Sequence, residues 1–118
     1  MDKGWILLHR KLLNSELWED KPFTKGQAWI DILLTVNYED NEVEFDGKTV
    51  MVKRGWLIYS ERYLMKKWGW GNTKVRNFIK QLEAQNMIKT CKCQSTKQSI
   101  KQSALKVIKY SLYQQPQS

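Results

Sequence analysis

Residues 60–93, SERYLMKKWGWGNTKVRNFIKQLEAQNMIKTCKC, decide the fold of this chain. Ser60 is a favourable helix N-cap, and after it Leu64, Met65 and Trp68 share one apolar face while Arg62, Lys66 and Lys67 point elsewhere. Trp68-Gly69-Trp70-Gly71 stops that helix. Asn72 can cap a second one, in which Val75, Phe78, Ile79 and Leu82 follow the i, i+3, i+4, i+7 rule of a single buried stripe. The opposite face of the second helix carries Thr73, Lys74, Arg76, Asn77, Lys80 and Gln81. Asn86 is suited to a left-handed helix end, and Met87 to Cys93 resumes as a strand. A returning strand is expected over Leu105–Leu112. The polar run Gln94–Ala104 between them, with Lys97 and Lys101, reads as a long basic hairpin tip.

Helix, short glycine-containing turn, helix and two-stranded hairpin is the order of a winged helix-turn-helix. Upstream, Gly4 to Trp18 reads as a short extended start and then a helix anchored by Ile6, Leu7, Leu8, Leu12, Leu13 and Leu17, broken at Lys21-Pro22. Thr24 with Gln27 three positions on has the capping-box form, and Ala28–Val36 is apolar around most of its circumference, which predicts a central buried helix. Asp31 interrupts that run and needs a surface or a partner. Val43-Glu44-Phe45 and Val50-Met51-Val52 flank Asp46-Gly47, the dipeptide of a tight hairpin turn, and Trp56-Leu57-Ile58-Tyr59 is a further extended piece. The expected fold class is therefore α+β, a winged helix-turn-helix with an amino-terminal helical extension and small β-hairpins. Residues 1–113 form the domain and 114–118, Gln-Gln-Pro-Gln-Ser, a flexible tail or the start of a linker.

Charge is sorted along the chain. Residues 1–50 carry six Lys/Arg against ten Asp/Glu, whereas residues 51–118 carry fourteen against only Glu61 and Glu83. A basic block that coincides with a helix-turn-helix and its hairpin predicts a nucleic-acid surface. The second helix would enter the major groove, with Asn72, Thr73, Lys74, Arg76, Asn77 and Lys80 as its contacts. Arg76 is suited to bidentate donation to guanine and Asn77 to adenine, while the lysines and Thr73 hold phosphates. Lys66 and Lys67 of the first helix and Lys97 and Lys101 of the hairpin tip extend the surface. The same residues read as an ordinary solvated face if helix, preceding helix and hairpin are taken one at a time.

Composition excludes other classes. There is no apolar run of membrane-spanning length, and Met1-Asp2-Lys3-Gly4 lacks the layout of a secretory signal, so a cytoplasmic protein is expected. Cys91 and Cys93 share one strand face, but a structural zinc needs four ligands and the only histidine, His9, is remote in sequence. His9 has no nucleophile partner in any recognisable pattern, and Asp31, Glu39, Asp40, Glu42, Glu44 and Asp46 match no nuclease motif. The expected protein is not an enzyme and uses no cofactor or metal. Trp70, between two glycines, is expected to pack beneath the second helix rather than to stack on bases.

Several segments taken in order resemble a known family: Gly4 to Leu13 with Leu17-Trp18, Lys25-Gly26-Gln27-Ala28-Trp29-Ile30-Asp31, Lys53-Arg54-Gly55 to Ser60, Trp68-Gly69-Trp70, Lys74-Val75-Arg76 and Leu82-Glu83. Together they resemble the amino-terminal domain of phage replisome organisers, the DnaD-like replication initiation proteins of bacteriophages and Gram-positive bacteria. The resemblance implies a winged-helix domain that binds origin DNA, helps remodel it, self-associates, and recruits helicase-loading machinery in a bacterial host cell, while the groove-facing second helix makes duplex rather than single-stranded DNA the expected partner. Two departures stand out. The sequence stops before the second, helical domain that DnaD-like proteins usually carry, and Trp56 stands where a polar residue is expected after Lys53-Arg54-Gly55. Two other readings stay open, a winged-helix transcriptional regulator and an oligomerisation or adaptor module that meets acidic protein partners.

Overall fold

The computed structural model describes residues 10–94 and 101–108. The architecture is α+β. A 3-10 helix (Arg10–Asn14) precedes α1 (Lys25–Thr35), β1 (Asn41–Phe45), β2 (Lys48–Val52), β3 (Trp56–Ile58), α2 (Glu61–Trp68), α3 (Asn72–Ala84), β4 (Ile88–Gln94) and β5 (Lys101–Val107). All strand pairing is antiparallel: β1 pairs with β2, and a second sheet has the order β3-β5-β4, so its last strand in sequence lies in the middle.

Local chemistry sets most boundaries. Thr24 Oγ1 accepts from the Gln27 amide at 3.1 Å and Ser60 Oγ from the Tyr63 amide at 3.1 Å, each satisfying a free N–H at a helix start. Asp46 at φ 50° and Gly47 at φ 74° form the two-residue turn that sets Phe45 opposite Lys48. Asn86, at φ 59°, takes the left-handed conformation just beyond α3.

The β3-β5-β4 sheet is covered on both faces, following the two-residue alternation of strands. Leu57, Ile88, Leu105 and Val107 face the helices, against Ile32, Leu64, Trp68, Phe78 and Leu82. Ile58, Cys93 and Ala104 face the other way, onto Val50 and Val52 of the β1–β2 hairpin. At the centre of the helical side, Trp68, Trp70 and Phe78 lie with ring centroids 4.9–5.7 Å apart, the two contacts to Phe78 being edge-to-face. Trp70 is packed and Trp29 is half-buried.

Asp31 turns inward. It is 1% exposed, and its Oδ2 accepts from Trp68 Nε1 at 2.9 Å and lies 3.1 Å from Lys67 Nζ, while its Oδ1 is buried without a hydrogen-bond partner. A cleft of about 200 Å³ beside it is lined by Leu13, Trp18, Lys21, Phe23 and Lys67 among others. A second tie joins the chain before α1 to the turn between α2 and α3: the Phe23 amide donates to the Trp68 carbonyl at 2.9 Å, and Trp70 Nε1 donates to the Phe23 carbonyl at 2.8 Å. Between those tryptophans Gly69 takes φ 73°, and a Cβ placed on it would lie 3.2 Å from both Lys21 Cβ and Pro22 Cα. Both its conformation and its space call for glycine.

Four expectations are corrected. In place of a helix reaching Trp18 there is only the 3-10 helix, and Leu17 is 85% exposed rather than an anchor. Ser15 captures the chain there, its hydroxyl accepting from the Leu17 amide at 3.1 Å and its carbonyl from the Trp18 amide at 3.0 Å, a local alternative to helical bonding. The Gln27 side chain does not close a reciprocal box but donates to the Trp18 carbonyl at 3.1 Å. Gly71, not Asn72, is the N-cap of α3, with Asn72 the first helical residue. The returning strand begins at Lys101 rather than Leu105, so strand pairing consumes much of the supposed loop. Its polar residues find partners, the Gln102 amide donating to the Tyr59 carbonyl at 2.8 Å. Residues 4–9, 95–100 and 109–118, on which parts of these expectations and the domain limits fell, lie outside the described residues.

Candidate nucleic-acid interface

α3 presents its polar residues together because its buried stripe leaves them no other direction. Val75, Phe78, Ile79 and Leu82 are buried, and Asn72, Thr73, Lys74, Arg76, Asn77 and Lys80 are all exposed. The packing of α3 against α2 and β4 fixes this face in the molecule. Four of the six make side-chain contacts. Lys74 Nζ lies 4.4 Å from the centroid of the Trp70 ring, a cation–π contact, Thr73 Oγ1 is 3.5 Å from Asn72 Oδ1, and Arg76 Nε donates to Glu61 Oε2 at 2.7 Å.

Both acids of the basic half are engaged. Glu61 holds Arg76, and Glu83 Oε2 accepts from Thr90 Oγ1 at 2.9 Å, tying α3 to β4. The Arg76 hydrogen bond, reinforced by its charge, keeps the Glu61 carboxyl below the usual carboxylate range and raises the guanidinium further. Burial, then the Glu83 charge, pushes the Tyr59 phenol up. The Cys91 and Cys93 thiols are raised by burial, so both stay protonated near neutrality.

Of the other expected contacts, Lys66 is exposed on α2, and its carbonyl accepts from Lys21 Nζ at 3.3 Å. Lys67 is not on the outer face: it is 21% exposed, reaches inward to Asp31 and lies 5.5 Å from the Tyr63 ring centroid. The buried carboxylate is the reason, since it needs a counter-charge and Lys67 is one helical turn from Tyr63 and adjacent to Trp68. Lys101 lies in β5, the position of its side chain being outside the described residues, as is all of Lys97. Sequence reasoning missed the clamp on Arg76. The signal available was that Glu61 is one of two acids among fourteen cations.

Among the described residues no three or more His, Cys, Asp or Glu come together as a metal site, and no helix is long and apolar enough to cross a membrane. No family model, no curated protein and no solved structure matches the chain.

Proposed function

We propose that this chain is a winged-helix DNA-binding domain of a phage- or plasmid-type replication initiation protein. Its order of α1, β3, α2, α3, β4 and β5, with the last strand returning between β4 and β3, is compatible with a winged helix that has the β1–β2 hairpin inserted, and supports this reading. The observation that carries the reading is the exposed polar face of α3, Asn72 to Lys80, set in a half with fourteen cations whose two acids are both engaged in side-chain contacts. α3 enters the major groove, Arg76 and Asn77 meet base edges, and Lys74, Lys80 and Thr73 meet phosphates. Lys66 flanks that surface from α2, and Lys97 and Lys101 are assigned to further phosphate contacts. Assignment to replication rests on the resemblance carried by Gly4 to Trp18 and Lys25 to Asp31; self-association and contact with helicase-loading machinery follow from the same resemblance.

The test is fluorescence-anisotropy binding to random duplex, single-stranded DNA and origin fragments over a salt series. Salt-steep binding that prefers one origin fragment is the expected result. Replacing Lys97 and Lys101 with alanine weakens all duplexes alike and flattens the slope of log affinity against log salt, by about 0.9 for each phosphate no longer neutralised. No binding even at low salt overturns the reading and assigns the basic face to an acidic protein partner.

A further inference from the structure

Arg76 is the only arginine of α3, and its side chain does not point into solvent unrestrained. Its Nε donates to Glu61 at 2.7 Å, although both side chains stand open to water at 55% and 43% exposure. A guanidinium has five N–H donors. The clamp on Nε leaves the paired Nη groups, and two parallel donors are what the O6 and N7 acceptors of guanine require. Glu61 is itself well anchored: it is the first residue of α2, next to the Ser60 cap, where the helix N-terminus favours a negative charge. Glu61 also places a negative charge beside a face whose charged residues, Lys74, Arg76 and Lys80, are all cations, which opposes close approach of a phosphate to Arg76.

We propose that Glu61 is the specificity-setting positioning residue of this interface, aiming Arg76 at a guanine edge and keeping it from serving as one more phosphate contact. The inference rests on the duplex-reading role given above to α3. It assigns Arg76 and Lys74 different tasks even though they lie on one face: Lys74, held over Trp70, supplies charge, and Arg76 supplies discrimination.

The experiment is a double-mutant cycle on the full chain, with wild type, E61Q, R76K and E61Q/R76K each titrated against a preferred duplex selected from a random pool and against the same duplex with single guanines replaced. Thermal unfolding is recorded for each variant. E61Q is expected to bind unrelated duplex more tightly and to lose about tenfold of the preference at one guanine. In the R76K background the same change leaves the preference where R76K alone put it. A wild-type preference that R76K abolishes and E61Q leaves intact overturns the inference while the reading of α3 stands; a preference insensitive to R76K overturns it as well. Failure of the wild type to bind duplex removes both. A pair that merely ties α2 to α3 lowers the unfolding temperature of E61Q and leaves the ratio between duplexes unchanged, which also overturns the inference.

Discussion

Two carboxylate–cation pairs a short distance apart in sequence do opposite things. Asp31 of α1 and Lys67 of α2 meet with the carboxylate 1% exposed and also bonded to the Trp68 indole; Glu61 and Arg76 meet on the surface, in water, at 2.7 Å. The first pair is structural because its carboxylate has been removed from solvent and its hydrogen bonds are enclosed, so breaking it leaves buried polar atoms without partners. The second is nearly free of such penalties, because water takes the place of either partner. A lysine drawn inward is withdrawn from the surface, whereas an arginine clamped outward remains available to a ligand. Only the second arrangement keeps a cation both oriented and accessible.

The contrast can be broken or sharpened by substitution. The largest effect is expected at the buried end: Trp68→Ala removes a fully enclosed indole that packs on Trp70 and Phe78 and caps Asp31, and should cost about 3–5 kcal/mol in denaturant unfolding, a large share of the stability of a typical domain. Asp31→Ala should cost about 1–3 kcal/mol by stranding the Trp68 N–H. Asp31→Asn, which keeps an acceptor for that N–H, should cost less in the same assay, and equal losses would mean the Lys67 charge, not the indole bond, is what matters there. Lys67→Met should leave duplex affinity and its salt slope unchanged, while Lys74→Ala lowers the slope by about 0.9, the share of a single phosphate; equal effects would erase the distinction between the inward and outward cations.

The smallest effect is a pH dependence. Glu61 is depressed below its ordinary value of 4.5, so the stabilisation from its pairing is fully present above that value and is lost as pH falls through the lower value it has in the folded protein. The Arg76–Glu61 contact, followed by the NMR signal of the Arg76 Nε–H, should therefore persist on acidification through pH 4.5 and open only below it, with little change in unfolding temperature. Opening above pH 4.5 would show that the clamp is not formed in solution.

What could be read from sequence follows the range of each interaction. Thr24, Ser60, Asp46-Gly47 and Asn86 act within three residues of their own backbone, so their type and place announce a cap or a turn, and the α3 stripe follows from helical period alone. Asp31 could be flagged as needing a partner but not paired, because Trp68 is 37 positions away. Lys67 looks like any surface lysine until that carboxylate is placed beneath it. The hairpin cover over Cys93 and Ala104 is illegible for the same reason: Val50 and Val52 alternate as they would on any half-buried strand, and nothing local says which sheet they face. Polar Gln102 and Ser103 read as loop because composition cannot reveal that the Gln102 amide will be met by the Tyr59 carbonyl.

The bonds between Phe23 and the two tryptophans have a consequence for modularity. α2, the turn and α3 form a unit that could be imagined excised with its hairpin and grafted elsewhere, yet the underside of its turn is completed by residues 21–23. Cut away, it would lose the Phe23 partners of the Trp70 indole N–H and the Trp68 carbonyl and open the apolar underside of the turn to water, with Gly69 stripped of the Lys21 and Pro22 atoms that now lie against it. The turn that leads into α3 is thus tied to a segment 47 residues before Trp70, and the acidic and basic halves of this chain are one mechanical part.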